Sequence, residues 1–154
     1  MNNQKLALIL LIILFTCVAC SPLPSTVLAR QYEEKQEYQK AIEVYEKLLT
    51  MPQVKTTDNK DTTYLYYLLI GDNYLKLDNP SSAEEYYAKA ISADTPNEFI
   101  VDRIRLLSRY YVKQNDYEQA INILNKYHDV SPEDIDYSID KLHKRYVEQL
   151  KTNE

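Results

Sequence analysis

The 154-residue chain contains one glycine, two cysteines and two histidines, and each shortage removes a class of chemistry. A single glycine, Gly71, cannot build the glycine-rich loops that cradle phosphates or dinucleotides, and neither fingerprint is present. Both cysteines, Cys17 and Cys20, fall in the first 20 residues, so the remainder has no thiol for a disulfide, a zinc site or a nucleophile. His128 and His143 lie outside any H-E-x-x-H pattern, and there is no G-x-S-x-G. Asp140 and His143, one helical turn apart, make only half a metal site and read as a solvated pair. Asp58-Asn59-Lys60-Asp61 lacks the glycine and terminal glutamate of a calcium loop. No catalytic constellation emerges. The expectation is a non-enzyme with no cofactor, no metal and no small-molecule substrate. Positive charge is in the minority, with 18 Lys and Arg against 23 Asp and Glu, for a net charge of −5. That balance disfavours nucleic acid and gives little attraction to anionic lipid.

What the chain has in abundance is tyrosine, 15 in all, together with helical periodicity and no alternating strand pattern. The reading is all-α. Three stretches carry one pattern. Leu28-Ala29-x-x-Tyr32 is followed by Ala41 and Tyr45, Ile70-Gly71-x-x-Tyr74 by Ala83 and Tyr87, and Leu107-Ser108-x-x-Tyr111 by Ala120 and Leu124. The step from the small residue to the alanine is 12 each time, and Pro52, Pro96 and Pro132 close the units. Helices that approach to about 8 Å need small side chains at the crossing. Ala29, Gly71 and Ser108 supply them on the first helix of each pair, and Ala41, Ala83 and Ala120 on the second.

This pattern resembles the tetratricopeptide repeat, a 34-residue helix–turn–helix unit marked by an aromatic, Leu-Gly-x-x-Tyr, a later Ala and a Pro. The resemblance implies three hairpins, at about 22–55, 64–97 and 101–134, wound into a right-handed superhelix over residues 25–134. Loops lengthen the ideal period, since the alanines are 42 and then 37 apart. Residues 135–154 then form a capping helix and tail, with Ile135, Ile139, Leu142, Tyr146 and Leu150 as its apolar stripe. Docking of a partner is the alternative use of that stripe. Punctuation agrees: Asn79-Pro80 opens one helix, Thr95-Pro96-Asn97-Glu98 reads as an N-cap, first-turn Pro and capping-box Glu, and Ser131-Pro132-Glu133-Asp134 repeats that grammar. Met51 to Thr63 reads as a loop.

In repeats of this family the first helix of each pair lines the concave groove. Projected here, that implies a groove of Arg30, Leu65, Leu68, Asp72, Leu75, Arg105, Arg109 and Lys113, apolar in the middle and basic at the far end. Tyr66, Tyr86 and Tyr110 fall off the core positions, and some of them are expected to face outward, where tyrosine favours protein contact.

Residues 1–19 read as a signal peptide. Lys5 precedes an apolar stretch of about 14 residues from Leu6 to Ala19, short of the ~20 that span a bilayer. Ala19 immediately before Cys20 resembles the bacterial lipobox, with cleavage after Ala19 and lipid on Cys20. The usual leucine three positions earlier is Cys17 here. Ser21, by the same resemblance, implies export to the outer membrane, facing the periplasm. Residues 20–24, with Pro22-Leu23-Pro24, form a tether of at most about 17 Å. The resemblances together imply a membrane-anchored scaffold or adaptor for a protein or peptide partner in cell-envelope assembly, such as outer-membrane protein, pilus or secretion-pore biogenesis. The alternative is a regulatory module that recruits or restrains a cell-wall enzyme.

Overall fold

The computed structural model describes residues 23–51, 63–93 and 95–152. The stretch read from sequence as a signal peptide, Cys20 and most of the loop before Thr63, including Asp58–Asp61, lie outside the described residues. Among the described residues seven α-helices follow one another: α1 (Thr26–Glu34), α2 (Tyr38–Thr50), α3 (Thr63–Lys76), α4 (Pro80–Ser92), α5 (Asn97–Lys113), α6 (Tyr117–Lys126) and α7 (Pro132–Thr152). A 3-10 turn at His128–Val130 leads into α7. Among the described residues there is no strand. Helices pair as α1/α2, α3/α4 and α5/α6, and each pair stacks on the next. The result is an all-α helical repeat array.

Local chemistry explains where the helices begin. The Ser25 side chain accepts from the Leu28 N–H at 3.1 Å and starts α1. Asn79 does the same for α4 through Ser82, with Pro80 in the first turn where its missing N–H costs nothing. Asp116 caps α6 through Gln119. The expected cap at Thr95 is corrected. Its hydroxyl turns back to the Ala90 carbonyl at 2.6 Å, closing α4 rather than opening α5, and α5 starts at Asn97 without a side-chain cap. Burial decides this: Thr95 is 8% exposed, facing the last turn of α4. At the start of α7 the Ser131 hydroxyl meets the Asp134 carboxylate, and the helix begins at Pro132 rather than Ile135.

The three hairpin turns share one geometry that glycine would normally serve. Gln36, Asp78 and Asn115 all adopt left-handed φ of 60–61°. In each turn the next N–H reaches back to a tyrosine carbonyl, Glu37 to Tyr32, Asn79 to Tyr74 and Asp116 to Tyr111, at 2.8–3.0 Å. This is the Schellman closure of a helix. Asp and Asn tolerate that conformation better than glutamine does. Gln36→Gly is therefore expected to stabilise the fold by about 0.5–1 kcal/mol, read as a rise of a few degrees in a thermal melt. A fall would mean that the Gln36 side chain makes a compensating contact.

Small residues sit where the hairpins cross. Ala29, Ala41, Ala83 and Ala120 are fully buried, as is Ser108 to within a few per cent. A Cβ placed on Gly71 would lie 2.5 Å from Tyr87 Cε1 and 3.1 Å from the Ala83 carbonyl oxygen. One core cluster joins Ala29, Ala41, Ile42 and Tyr45 to Ile70; the other runs from Leu68 through Tyr87, Ile104 and Leu124 to Ile135 and Leu142. Tyr74 packs against both, so the core is continuous from α1 to α7.

The terminal helix covers the last hairpin only in part. Ile135 and Leu142 are buried and Ile139 half-buried, but Tyr146 and Leu150 are exposed. The apolar stripe read from the sequence is thus buried only over its first half. The reason is length: α7 has 21 residues and α6 only 10, leaving the last turns of α7 with less to pack on. Tyr146 still stacks on Tyr117.

Candidate functional site

The first helices of the repeats form one row, α1, α3 and α5, which α7 continues. Neighbours along that row are tied by polar contacts between residues remote in sequence. Asn73 donates to Glu33 at 2.6 Å, joining α3 to α1. Arg103 pairs with Asp72 at 2.9 Å, joining α5 to α3, and the Tyr87 hydroxyl also donates to Asp72 at 2.8 Å. Arg105 reaches Asp134 at 3.0 Å and Ser138 at 2.9 Å, joining α7 to α5. The second helices are tied in the same way, Tyr86 to Glu46 at 2.6 Å and Lys126 and Tyr127 to Glu84. Burial, reinforced by the paired carboxylates, pushes the phenols of Tyr86, Tyr87 and Tyr127 well above their ordinary range, so all three stay neutral donors.

These ties reassign several residues of the projected groove. Leu68 is 2% exposed and belongs to the core, so it offers nothing to a partner. Helix α3 is apolar almost all round, with Tyr64, Tyr66, Tyr67 and Tyr74 beside Leu65, Leu68, Leu69 and Ile70, and it is packed on both sides. Leu75 is half-buried against the same core. Asp72 is consumed by Arg103 and Tyr87. Arg105, expected to face a partner, instead holds α7 through Asp134 and Ser138; that contact keeps the Asp134 carboxyl below its usual range, after the larger effect of Ser131. Arg30, Leu65, Arg109 and Lys113 remain at the surface. Tyr66, Tyr86 and Tyr110 do not stand free. They are half-buried, Tyr66 beside Tyr45, Tyr86 bonded to Glu46 and Tyr110 to Asp78. Tyrosine in this chain mainly joins repeats to one another.

One groove of about 520 Å³ opens between α5 and α7. Its floor includes Ser108, Leu124 and Leu142, with Val112 on one wall and Tyr137 on the other. Tyr137 is 65% exposed. Asp102 and Arg105 lie at one end of the α5 wall, near Ser138 of α7. Arg109, Lys141 and Arg145 also line it. Sequence projection found Arg105 and Arg109 but missed Tyr137, Lys141 and Arg145. The signal was available: 137, 141 and 145 are spaced i, i+4, i+8 and share one face of a helix. Only the packing angle of α7 turns that face towards α5. Asp140, once paired in sequence with His143, is bonded to Lys144 at 2.6 Å. Among the described residues no group of three or more His, Cys, Asp or Glu could hold a metal ion.

Comparison with known families supports the helical register. A family model described as Tetratricopeptide repeat matches residues 64–97 and 106–134, and a second model of that description matches residues 26–58. Together they cover more than half of the chain. No curated protein matches it.

Proposed function

This chain belongs to the tetratricopeptide-repeat family, and from that premise we propose that it is a lipid-anchored scaffold holding a protein or peptide partner within a bacterial cell-envelope assembly. Repeat arrays of this kind are protein–protein interaction modules: each unit contacts mainly its neighbours, and the stack presents an extended surface. The observation that carries the scaffold reading is the array itself, three hairpins joined through one core and tied along both rows. A surface held by those contacts is largely pre-formed, so the scaffold itself needs little ordering when a partner docks.

The envelope setting rests on sequence, in the run from Leu6 to Ala19 followed by Cys20 and Ser21. Among the described residues no helix is long and apolar enough to cross a membrane. Acyl chains on Cys20 would supply the attachment, since an acidic domain gains little from lipid charge. Labelled palmitate should enter the wild type grown in a bacterial host and be absent from Cys20→Ser. Equal labelling of the two removes the anchor from the proposal. Affinity capture of the full chain from solubilised membranes then tests the setting. Recovery of pore or pilus subunits supports it, whereas recovery of cell-wall enzymes moves the function to a regulatory role.

A further inference from the structure

The ties along the first-helix row use part of its charge. Glu33, Asp72, Arg103, Arg105 and Asp134 all have partners within the fold. Three cations around the α5–α7 groove have no acidic partner among the described residues. Among the described residues Arg109 donates its Nε to the Arg105 carbonyl one turn back at 3.3 Å, and its terminal nitrogens meet no acceptor. Lys141 and Arg145 form no ion pair among the described residues, although both line the groove. This happens in a chain of net charge −5, where acids are plentiful enough to pair them. Asp102, the acid lining the groove, lies beside Arg105 rather than these three.

Like charges around one groove repel, and the repulsion is relieved by an anion placed among them. Two arginines and a lysine suit carboxylates, with the guanidinium forks able to take them in bidentate fashion. The rest of the lining is not that of a small-anion site. Leu124 and Leu142 give an apolar floor, with Val112 on one wall and the exposed ring of Tyr137 on the other. That combination matches an extended peptide whose acidic side chains face the cations while an apolar or aromatic side chain rests on the floor and against Tyr137.

We propose that the groove between α5 and α7 is the docking site for an acidic, apolar-interrupted segment of a partner protein, held by Arg109, Lys141 and Arg145. The proposal rests on the scaffold reading and specifies where the scaffold is occupied and by what chemistry. Lys141 and Arg145 are exposed and take no part in the packing of α7, which is anchored by Ile135 and Leu142. They can therefore be changed without disturbing the helix.

The test uses the purified full chain and a fluorescein-labelled ten-residue peptide of alternating Glu and Leu, with the Gln-for-Glu peptide as its neutral counterpart. Fluorescence anisotropy at low salt should show the Glu peptide binding at least about tenfold more tightly than the Gln peptide, with the preference falling as salt is raised. Lys141→Glu with Arg145→Glu should abolish the preference, as should Arg109→Gln in large part, with thermal melts unchanged. Arg30→Glu, at the far end of the row, should leave it intact. Equal binding of the two peptides overturns the proposal, and so does a preference that survives the double reversal. Two further outcomes also overturn it. Charge-dependent binding to phosphatidylserine–phosphatidylcholine vesicles without peptide preference would make the groove a membrane contact. A dimer in sedimentation that the reversal dissociates would make it a contact between copies. If membrane capture recovers partners equally well with wild type and double reversal, the scaffold reading stands and the groove assignment alone fails.

Discussion

Ala83→Leu should lower the melting midpoint by about 6–12 °C, the equivalent of roughly 3 kcal/mol in a chain of this size. Ala83 is fully buried at the crossing of α3 and α4, with its carbonyl oxygen 3.1 Å from the point where Gly71 would carry a Cβ. Three added carbons have no space there, and the helices must separate. The partner position gives a sharper test of sign. Helix propensity alone favours Gly71→Ala by about 1 kcal/mol. Against it, the new methyl would meet Tyr87 at 2.5–2.8 Å. That ring cannot swing aside cheaply, because it is 1% exposed and its hydroxyl is held by Asp72 at 2.8 Å. Crowding should outweigh propensity, so Gly71→Ala is expected to destabilise. Stabilisation by Gly71→Ala, or an unchanged midpoint for Ala83→Leu, would mean that the crossing is looser than this geometry and the repeat register is wrong.

Asp72→Ala should cost about 2–3 kcal/mol. The side chains of Asp72 and Arg103 are 19% and 25% exposed, so the pair is largely removed from water. Losing the carboxylate leaves a guanidinium and the buried Tyr87 hydroxyl without their acceptor, which is the expensive way to break a buried pair. The tie also joins the second repeat to the third, so its loss should reduce the cooperativity of unfolding between them. A double-mutant cycle with Arg103→Ala isolates the pair: the double variant should be less destabilised than the sum of the two singles by at least about 1 kcal/mol. Additive losses in urea denaturation would show that the two side chains act independently and that packing alone holds the repeats together.

The hairpins could be read from the sequence because their determinants are local. A small residue at 29, 71 or 108 and an alanine 12 positions later describe a crossing within one pair of adjacent helices. Caps such as Ser25 and Asn79 act within three residues. Family comparison finds repeats at residues 26–58, 64–97 and 106–134. The turns were less legible, because Gln36, Asp78 and Asn115 adopt a conformation that the eye seeks in glycine.

Tertiary structure decided what faces outward. Leu68 sits on the first helix of its pair, where a groove residue was expected, yet α3 lies between neighbours and buries it. Asp72 and Arg105 found partners 31 and 29 residues away, and no spacing rule reaches that far. Thr95 turned to the helix behind it, five residues back, because burial rather than the following proline set its surroundings. The sequence alone determined the helices, their pairing and the small residues at each crossing, since these depend on periodicity and close approach within one hairpin. Which charges remain free for a partner was decided only when the hairpins stacked, because a charge is spent or spared according to what the next repeat brings beside it.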